Sequence, residues 1–137
     1  RYSHACPFAR IMEEGLADRL VQVGIRTMNA HQQSQAERFG VEVIHMKDWD
    51  DARIFAFDEP LYVSVDLDVL DPAFAPGLSH REPGGCSVRQ LLSVIQTVRA
   101  TIVGADVVEF NPSQDSVGLT AWVAAKVTRE LTARMVG

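Results

Sequence analysis

Two aspartates, Asp66 and Asp68, come directly after the apolar segment 61–65. The length and valine content of this segment are typical of a buried strand. In extended backbone, side chains two residues apart project to the same side, about 6–7 Å apart along the strand. Two carboxylates that close repel one another or share a proton, whereas a hard divalent cation such as Mg²⁺ or Mn²⁺ uses both as oxygen ligands. The spacing therefore predicts a metal site at the carboxyl end of this strand.

A third carboxylate, Glu109, follows the apolar segment 102–108 in the same way. Parallel α/β sheets bind ligands beyond the carboxyl ends of their strands, so we expect Glu109 to face the same crevice as Asp66 and Asp68. There it would bind a further metal or pair with the planar fork of an amidinium group. Alone, an Asp-x-Asp pair is typical of a turn, and a strand-end glutamate is typical of a solvated or lysine-paired side chain. Their common placement after buried strands favours the site.

Two of the four histidines are candidates for proton transfer. His4 and His80 lie in predicted loops beside polar residues, where an imidazole can exchange protons near neutral pH, and the spacing does not choose between them. Structural or surface roles are favoured for His31, in a polar helix, and for His45, at a strand end. Asp71, which precedes a proline, is interpreted as a turn residue and not as a metal ligand.

Strands and helices that could position these residues alternate along the chain. Short apolar segments predict strands, and amphipathic segments predict helices. The clearest helix begins at an S-x-x-Q capping box formed by Ser87 and Gln90. The predicted strands are 20–25, 41–46, 61–65 and 102–108, and the predicted helices are 7–14, 30–39, the one after residue 87, and 119–135. This alternation is typical of an α/β fold, a three-layer α/β/α sandwich with a mostly parallel sheet.

Composition and charge argue against several classes of protein. The chain has 137 residues, of which 47% are hydrophobic and 23% charged, as in one globular domain. A formal net charge of −5 without a basic run argues against nucleic-acid binding. The apolar runs are strand-sized, so no membrane span is predicted. Cys6 and Cys86 lack metal-site spacing and are interpreted as reduced thiols, which favours a cytoplasmic location.

Several motifs resemble those of one enzyme family, the ureohydrolases, which include agmatinases and arginases. They are residues 64–77 (SVDLDVLDPAFAPG), 82–85 (EPGG) and 107–112 (VVEFNP), and upstream the segments 2–5, 8–10, 14–15 and 21–26. The Ser79-His80 form of the loop and the segment 120–126 look closest to plant-type arginases and their bacterial agmatinase-like relatives. The resemblance covers essentially the whole chain and implies an arginase-like fold.

The resemblance also implies a reaction and a set of residue roles. Ureohydrolases cleave a guanidino group to urea and an amine with a hydroxide that bridges two Mn²⁺ ions, and they are usually trimers or hexamers. By this resemblance Asp66 would bridge the two metals and Asp68 would ligate one of them. Glu109 would hold the substrate guanidinium, and His4 would carry a proton to the leaving amine. A small cationic guanidino substrate is therefore expected.

Two departures from the family pattern bear on this expectation. The Gly-Gly-Asp-His and Asp-Ala-His-x-Asp segments that supply further metal ligands are absent, and the similar segment 29–33 (NAHQQ) offers neutral amides in place of carboxylates. We therefore expect residues 1–137 to be the C-terminal portion of one ureohydrolase domain, inactive alone. Residues 27–29 lack the acid that arginases outside the plant-type branch use toward the substrate's α-amino group. This favours agmatine, hydrolysed to putrescine and urea, over arginine or another guanidino acid.

Two other functions fit parts of the sequence. A haloacid-dehalogenase-like phosphatase also has an Asp-x-Asp after a strand, with Asp66 as nucleophile and a later acidic segment comparable to 104–109. The Asp71-Pro72 turn and the long Gly-Pro loop after the pair argue against that family. A non-catalytic module for oligomerisation or regulation would keep the fold without the chemistry.

Overall fold

The computed structural model describes residues 6–137, which divide into two units at Trp49 and Asp50. His4, the predicted proton carrier, lies outside the described residues. Among the described residues, no helix combines the length and the apolar character that crossing a membrane requires. The helices are α1 (Pro7–Glu13), α2 (Ala30–Arg38), α3 (Val88–Thr97) and α4 (Leu119–Val136), and the strands are β1 (Val21–Ile25), β2 (Glu42–His45), β3 (Leu61–Asp66) and β4 (Ile102–Val108).

In the first unit, β1 and β2 form a two-stranded parallel sheet with Val23 opposite Ile44. The register shifts directly after Val23, at Gly24, whose φ of 82° lies in the left-handed region. A side chain would be strained there, so the irregularity falls where the sequence has glycine.

Helix α2 begins at a complete capping box. The Asn29 side chain accepts from the Gln32 backbone N–H, and the Gln32 side chain accepts from the Asn29 N–H, both at 2.9 Å. The helix is followed by Gly40 with a φ of 62°, the left-handed conformation that glycine adopts at the C-terminal ends of helices. Two of the side chains in the NAHQQ segment are thus used to start a helix.

In the second unit, β3 and β4 form a parallel pair, with Val63 opposite Ala105 and Val65 opposite Val107. The Asp106 carboxylate joins the strands, since it accepts from the Tyr62 hydroxyl at 3.1 Å and from the Ser64 hydroxyl at 2.7 Å. The hydrogen bond to this carboxylate raises the pKa of Tyr62 above its ordinary value. The two strands that end at the candidate site therefore have a register secured by side chains as well as by backbone.

Helix α4 packs against β4 and against α3. Helical spacing predicts an apolar face of Val88, Leu91, Leu92, Ile95 and Val98 at α3 and of Val123, Val127, Leu131 and Met135 on α4. All of these residues are buried except Val88, which is partly buried, and Met135, which is 39% exposed near the end of α4. A polar contact also joins the helices, because Glu130 on α4 accepts from the Gln96 side chain on α3 at 2.8 Å. The bond that Glu130 accepts from Lys126 within α4 and the bond from Gln96 together lower the pKa of Glu130. The α/β class with parallel strands is confirmed, and most predicted elements match within one or two residues.

The capping box of α3 leads to the first prediction. The Ser87 hydroxyl accepts from the Gln90 N–H at 3.2 Å, and the Gln90 side chain accepts from the Ser87 N–H at 2.9 Å. Replacing Ser87→Ala removes one cap and is expected to lower the free energy of unfolding by about 1 kcal/mol. Urea unfolding of the intact protein measures the change. Ser93→Ala is the matched control, because that hydroxyl only donates back to the Arg89 carbonyl within the helix. If Ser87→Ala were as stable as the unmodified protein, the Ser87 hydroxyl would not be a stabilising cap of α3.

Candidate metal and substrate site

The backbone turns sharply where β3 ends. Asp66 is the last residue of the strand, and Leu67–Val69 form a single 3-10 turn. The Asp66 side chain accepts from the Asp68 N–H at 2.9 Å and so caps this turn. The prediction that both aspartates extend from one straight strand is therefore wrong, because a local side-chain hydrogen bond competes with extended backbone. Leu67, the first residue of this turn, is fully buried, so apolar packing also stabilises the turn.

The turn brings Asp68 together with Glu109 and His80. One potential ligand atom from each of these residues lies within 4.8 Å of the other two. The His80 Nδ1 is 3.5 Å from an Asp68 carboxylate oxygen and 3.9 Å from a Glu109 carboxylate oxygen. We call Asp68, His80 and Glu109 the carboxylate–histidine cluster. Asp66 precedes it in the chain, but its side chain is not one of the three.

Glu109 has an unusual backbone conformation. Its φ is 67°, and among the described residues it is the one non-glycine residue with a positive φ. Such a conformation is costly for a residue with a side chain and persists where the surroundings determine it. Here the next residue, Phe110, forms an antiparallel bridge with Leu78, and the Asn111 N–H donates to the Gly77 carbonyl at 2.9 Å. These contacts direct the chain after β4 and hold Glu109 in place.

Asp71 has the turn role expected from the sequence. Its carboxylate accepts from the Ala73 N–H at 2.9 Å and from the Gly84 N–H at 2.7 Å, which confirms that prediction. A backbone pairing follows directly, with the Asp71 N–H donating to the Cys86 carbonyl and the Cys86 N–H donating to the Val69 carbonyl. The EPGG loop is therefore joined to the turn that carries Asp68.

This close approach requires Gly85 and leads to a second prediction. A Cβ at Gly85 would lie 2.5–2.6 Å from backbone atoms of residues 69–71, which cannot move independently. Gly85→Ala is therefore expected to lower the free energy of unfolding by about 1–3 kcal/mol. The matched control is Gly104→Ala on β4, where the Cβ would meet a side chain rather than backbone, the largely exposed Tyr62 ring at 2.9 Å. Thermal unfolding of both variants is the measurement. A Gly85→Ala variant as stable as Gly104→Ala would show that the loop adapts.

The cluster combines hard oxygen donors with an imidazole. The side chains of Asp68 and Glu109 are 20% and 29% exposed, whereas that of His80 is 72% exposed. Carboxylate oxygens and imidazole nitrogen are suitable ligands for Mn²⁺, so this donor set fits a manganese site in part. A carboxylate can also bind a guanidinium or amidinium cation through two parallel hydrogen bonds. The chemistry that this arrangement allows is metal binding beside a site for a planar cation.

The predicted site residues have different outcomes. The structure brings Glu109 beside Asp68, as expected for residues that follow adjacent parallel strands. The metal roles of Asp66 and Asp68 and the substrate role of Glu109 stay predictions. His80 was only one of two candidate loop histidines, and the structure places it in the cluster. The contacts that bring it there link residues more than thirty positions apart, so no local spacing reveals them.

Parallel strands, flanking helices and a carboxylate–histidine cluster define part of an α/β domain with a candidate ligand site where two strands end. The sequence matches the arginase family over residues 1–133. It is 51% identical over 149 residues to arginase 1, mitochondrial, of Arabidopsis thaliana, covering 98% of this chain and 42% of that protein. It is 42% identical to guanidinopropionase of Pseudomonas aeruginosa, covering 95% of this chain and 45% of that protein.

The structure is similar to that of arginase from Medicago truncatula, with a TM-score of 0.92 and 49% sequence identity. The match covers 98% of this chain and 45% of that one. The chain therefore belongs to the arginase family, as the motif resemblance implied. Because the chain belongs to this family, we reject the alternative of a haloacid-dehalogenase-like phosphatase. The chain spans about 42% of the length of the plant arginases that it matches.

Proposed function

We propose that this chain is the C-terminal part of a longer, manganese-dependent ureohydrolase that releases urea from a guanidino substrate. The observation that carries the proposal is the convergence of Asp68 and Glu109 at the ends of two parallel strands in an arginase-family chain. The match to the family extends over nearly the whole chain, but the chain spans less than half of the length of its relatives. This difference supports a longer native protein. The remaining metal ligands would come from the preceding part of that protein.

Asp66 and Asp68 are proposed as the metal ligands that this chain would contribute to a manganese site. The turn that follows β3 orients the Asp68 carboxylate into the cluster, while the Asp66 side chain uses one oxygen to cap that turn. A carboxylate has two oxygens and several lone pairs, so this capping bond is compatible with metal binding. Manganese, when bound, activates water as the nucleophile by acting as a Lewis acid.

Glu109 is proposed to bind the substrate guanidinium. Its carboxylate is partly exposed beside Asp68, so a planar cation can reach it while the reacting carbon stays near the metal ligands. Two charge-assisted hydrogen bonds would orient the guanidinium and replace hydrogen bonds that it makes to water. His4 is proposed to deliver the proton that lets the leaving nitrogen depart as a neutral amine, a role that suits an imidazole.

Arginine and agmatine are the two substrates to test first. The relatives named above include arginases and a guanidinopropionase, so substrates that carry a carboxylate are supported by similarity. Agmatine is supported by a different observation, the lack of an acidic residue at positions 27–29. The homo-oligomeric state and the cytoplasmic location stay predictions, and several plant relatives are named as mitochondrial.

The test uses the full-length protein purified from its native source. Its intact mass is expected to be about 2.4 times that of this 15.1 kDa chain, because the chain covers 42% of its plant arginase relatives. Urea release is then measured with arginine, agmatine, guanidinobutyrate and guanidinopropionate, before and after chelation and after manganese is restored. Manganese-dependent urea release from one of them supports the proposal. Absence of urea from all four in a manganese-loaded protein would contradict it and would favour a non-catalytic module.

A further inference from the structure

His80 is the member of the carboxylate–histidine cluster to which the proposed function assigns no role. Both of its contacts with the carboxylates are made by the same ring atom, Nδ1, at 3.5 Å from Asp68 and 3.9 Å from Glu109. The ring thus turns one defined edge toward the site, although 72% of its side chain is exposed. An exposed side chain needs a fixed backbone to hold such an orientation.

The loop that carries His80 is fixed by the segment that follows Glu109. The Asn111 side chain donates to the Ser79 hydroxyl at 2.8 Å, directly before His80 in the chain. The Asn111 N–H donates to the Gly77 carbonyl at 2.9 Å. Asn111 therefore holds the backbone on both sides of the site, since it lies two residues after Glu109 and contacts the residue next to His80.

Two further hydrogen bonds hold this loop, one to helix α4 before His80 and one after His80. The Gly77 N–H donates to the Thr120 hydroxyl at 2.7 Å, and Thr120 is fully buried. A Cβ at Gly77 would lie 2.5 Å from the Asp115 Cβ, so only glycine allows this approach. Beyond His80, Arg81 donates to the Gln114 side chain at 2.6 Å. The fold, rather than a direct bond between the two side chains, therefore sets the separation of His80 from Glu109.

We propose that His80 is a positioning residue for Glu109, an inference that rests on the proposed ureohydrolase function. Its Nδ1 lies 3.9 Å from a carboxylate oxygen of Glu109 and 3.5 Å from one of Asp68. With a proton on Nδ1, the ring would favour one orientation of the Glu109 carboxylate, in which the remaining lone pairs of that carboxylate face the substrate guanidinium. The fold sets the separation of 3.9 Å, from which a small shift of the Glu109 side chain on substrate binding would bring the two atoms within hydrogen-bond distance. His80 thereby acts on substrate binding through Glu109, without contacting the reacting atoms.

The test compares three variants of the full-length, manganese-loaded enzyme, His80→Ala, His80→Asn and His80→Gln. Asparagine places an N–H close to the position of the histidine Nδ1, whereas the glutamine amide reaches toward the position of Nε2. We expect His80→Ala and His80→Gln to raise KM for the guanidino substrate about tenfold, with kcat changed much less. We expect His80→Asn to restore KM to within about threefold of the unmodified enzyme. Manganese content, measured by elemental analysis, and melting temperature are expected to stay unchanged in all three.

Three results would overturn the inference. An unchanged KM in His80→Ala would show that the imidazole does not position Glu109. Loss of manganese from His80→Ala would make His80 a metal ligand instead. Rescue by glutamine rather than by asparagine would show that Nδ1 is not the edge in use. Failure of the proposed function is distinguishable, because the unmodified enzyme would then release no urea before any variant is made.

Discussion

Asp68→Asn is expected to remove manganese binding and to reduce urea release by at least about 100-fold. The expected cause is loss of charge, since asparagine has the shape of aspartate but cannot supply an anionic oxygen to the metal. The fold should tolerate the change, because the Asp68 backbone N–H, and not its side chain, makes the capping bond to Asp66. Equilibrium dialysis against Mn²⁺ and a urea assay of the full-length enzyme measure the two effects.

Asp58→Asn is the matched control for that experiment. Asp58 is exposed in the bend before β3, and its carboxylate is outside the carboxylate–histidine cluster. The same chemical change there should leave the manganese content as it is in the unmodified enzyme. A full complement of manganese in Asp68→Asn would contradict the metal role of Asp68.

Glu109→Gln is expected to reduce kcat/KM for the guanidino substrate by about 100-fold or more, with manganese content unchanged. The carboxylate can accept two charge-assisted hydrogen bonds from a guanidinium, each worth about 1.5–3 kcal/mol. Glutamine keeps the size of the side chain but has one oxygen and presents an N–H₂ group to a cation that only donates. Steady-state kinetics and elemental analysis of the same preparation measure both quantities.

The outcome separates two roles that the geometry allows for Glu109. Its ligand atom lies within 4.8 Å of those of Asp68 and His80, so it is close enough to share a metal with them. If Glu109→Gln loses manganese, Glu109 is a ligand, and another residue must bind the substrate cation. Glu59→Gln, on the exposed turn before β3, is the matched control and should change neither kinetics nor metal content.

The elements and their order could be predicted from the sequence because their signals are local. The helix α3 begins where Ser87 and Gln90 stand three residues apart, and those two side chains make the capping bonds. The row of apolar residues on α4 is buried because residues four apart share one helix face. The motif around Asp66 and Asp68 likewise indicated the family, since its residues are contiguous.

The arrangement of the site depends on contacts that no local pattern contains. The turn after Asp66 forms because one side chain bonds a backbone N–H two residues on and because Leu67 is buried beneath it. The same short sequence can adopt either an extended backbone or this turn, and tertiary packing stabilises the turn.

His80 reaches the cluster for the same reason. Asn111 bonds the residue beside it from 32 positions away, and Thr120 holds Gly77 from 43 positions away. The same interactions keep Glu109 at a φ of 67°, a conformation that its own residue type disfavours. The residue types thus define the available chemistry, whereas long-range hydrogen bonds and close packing decide which of the side chains meet.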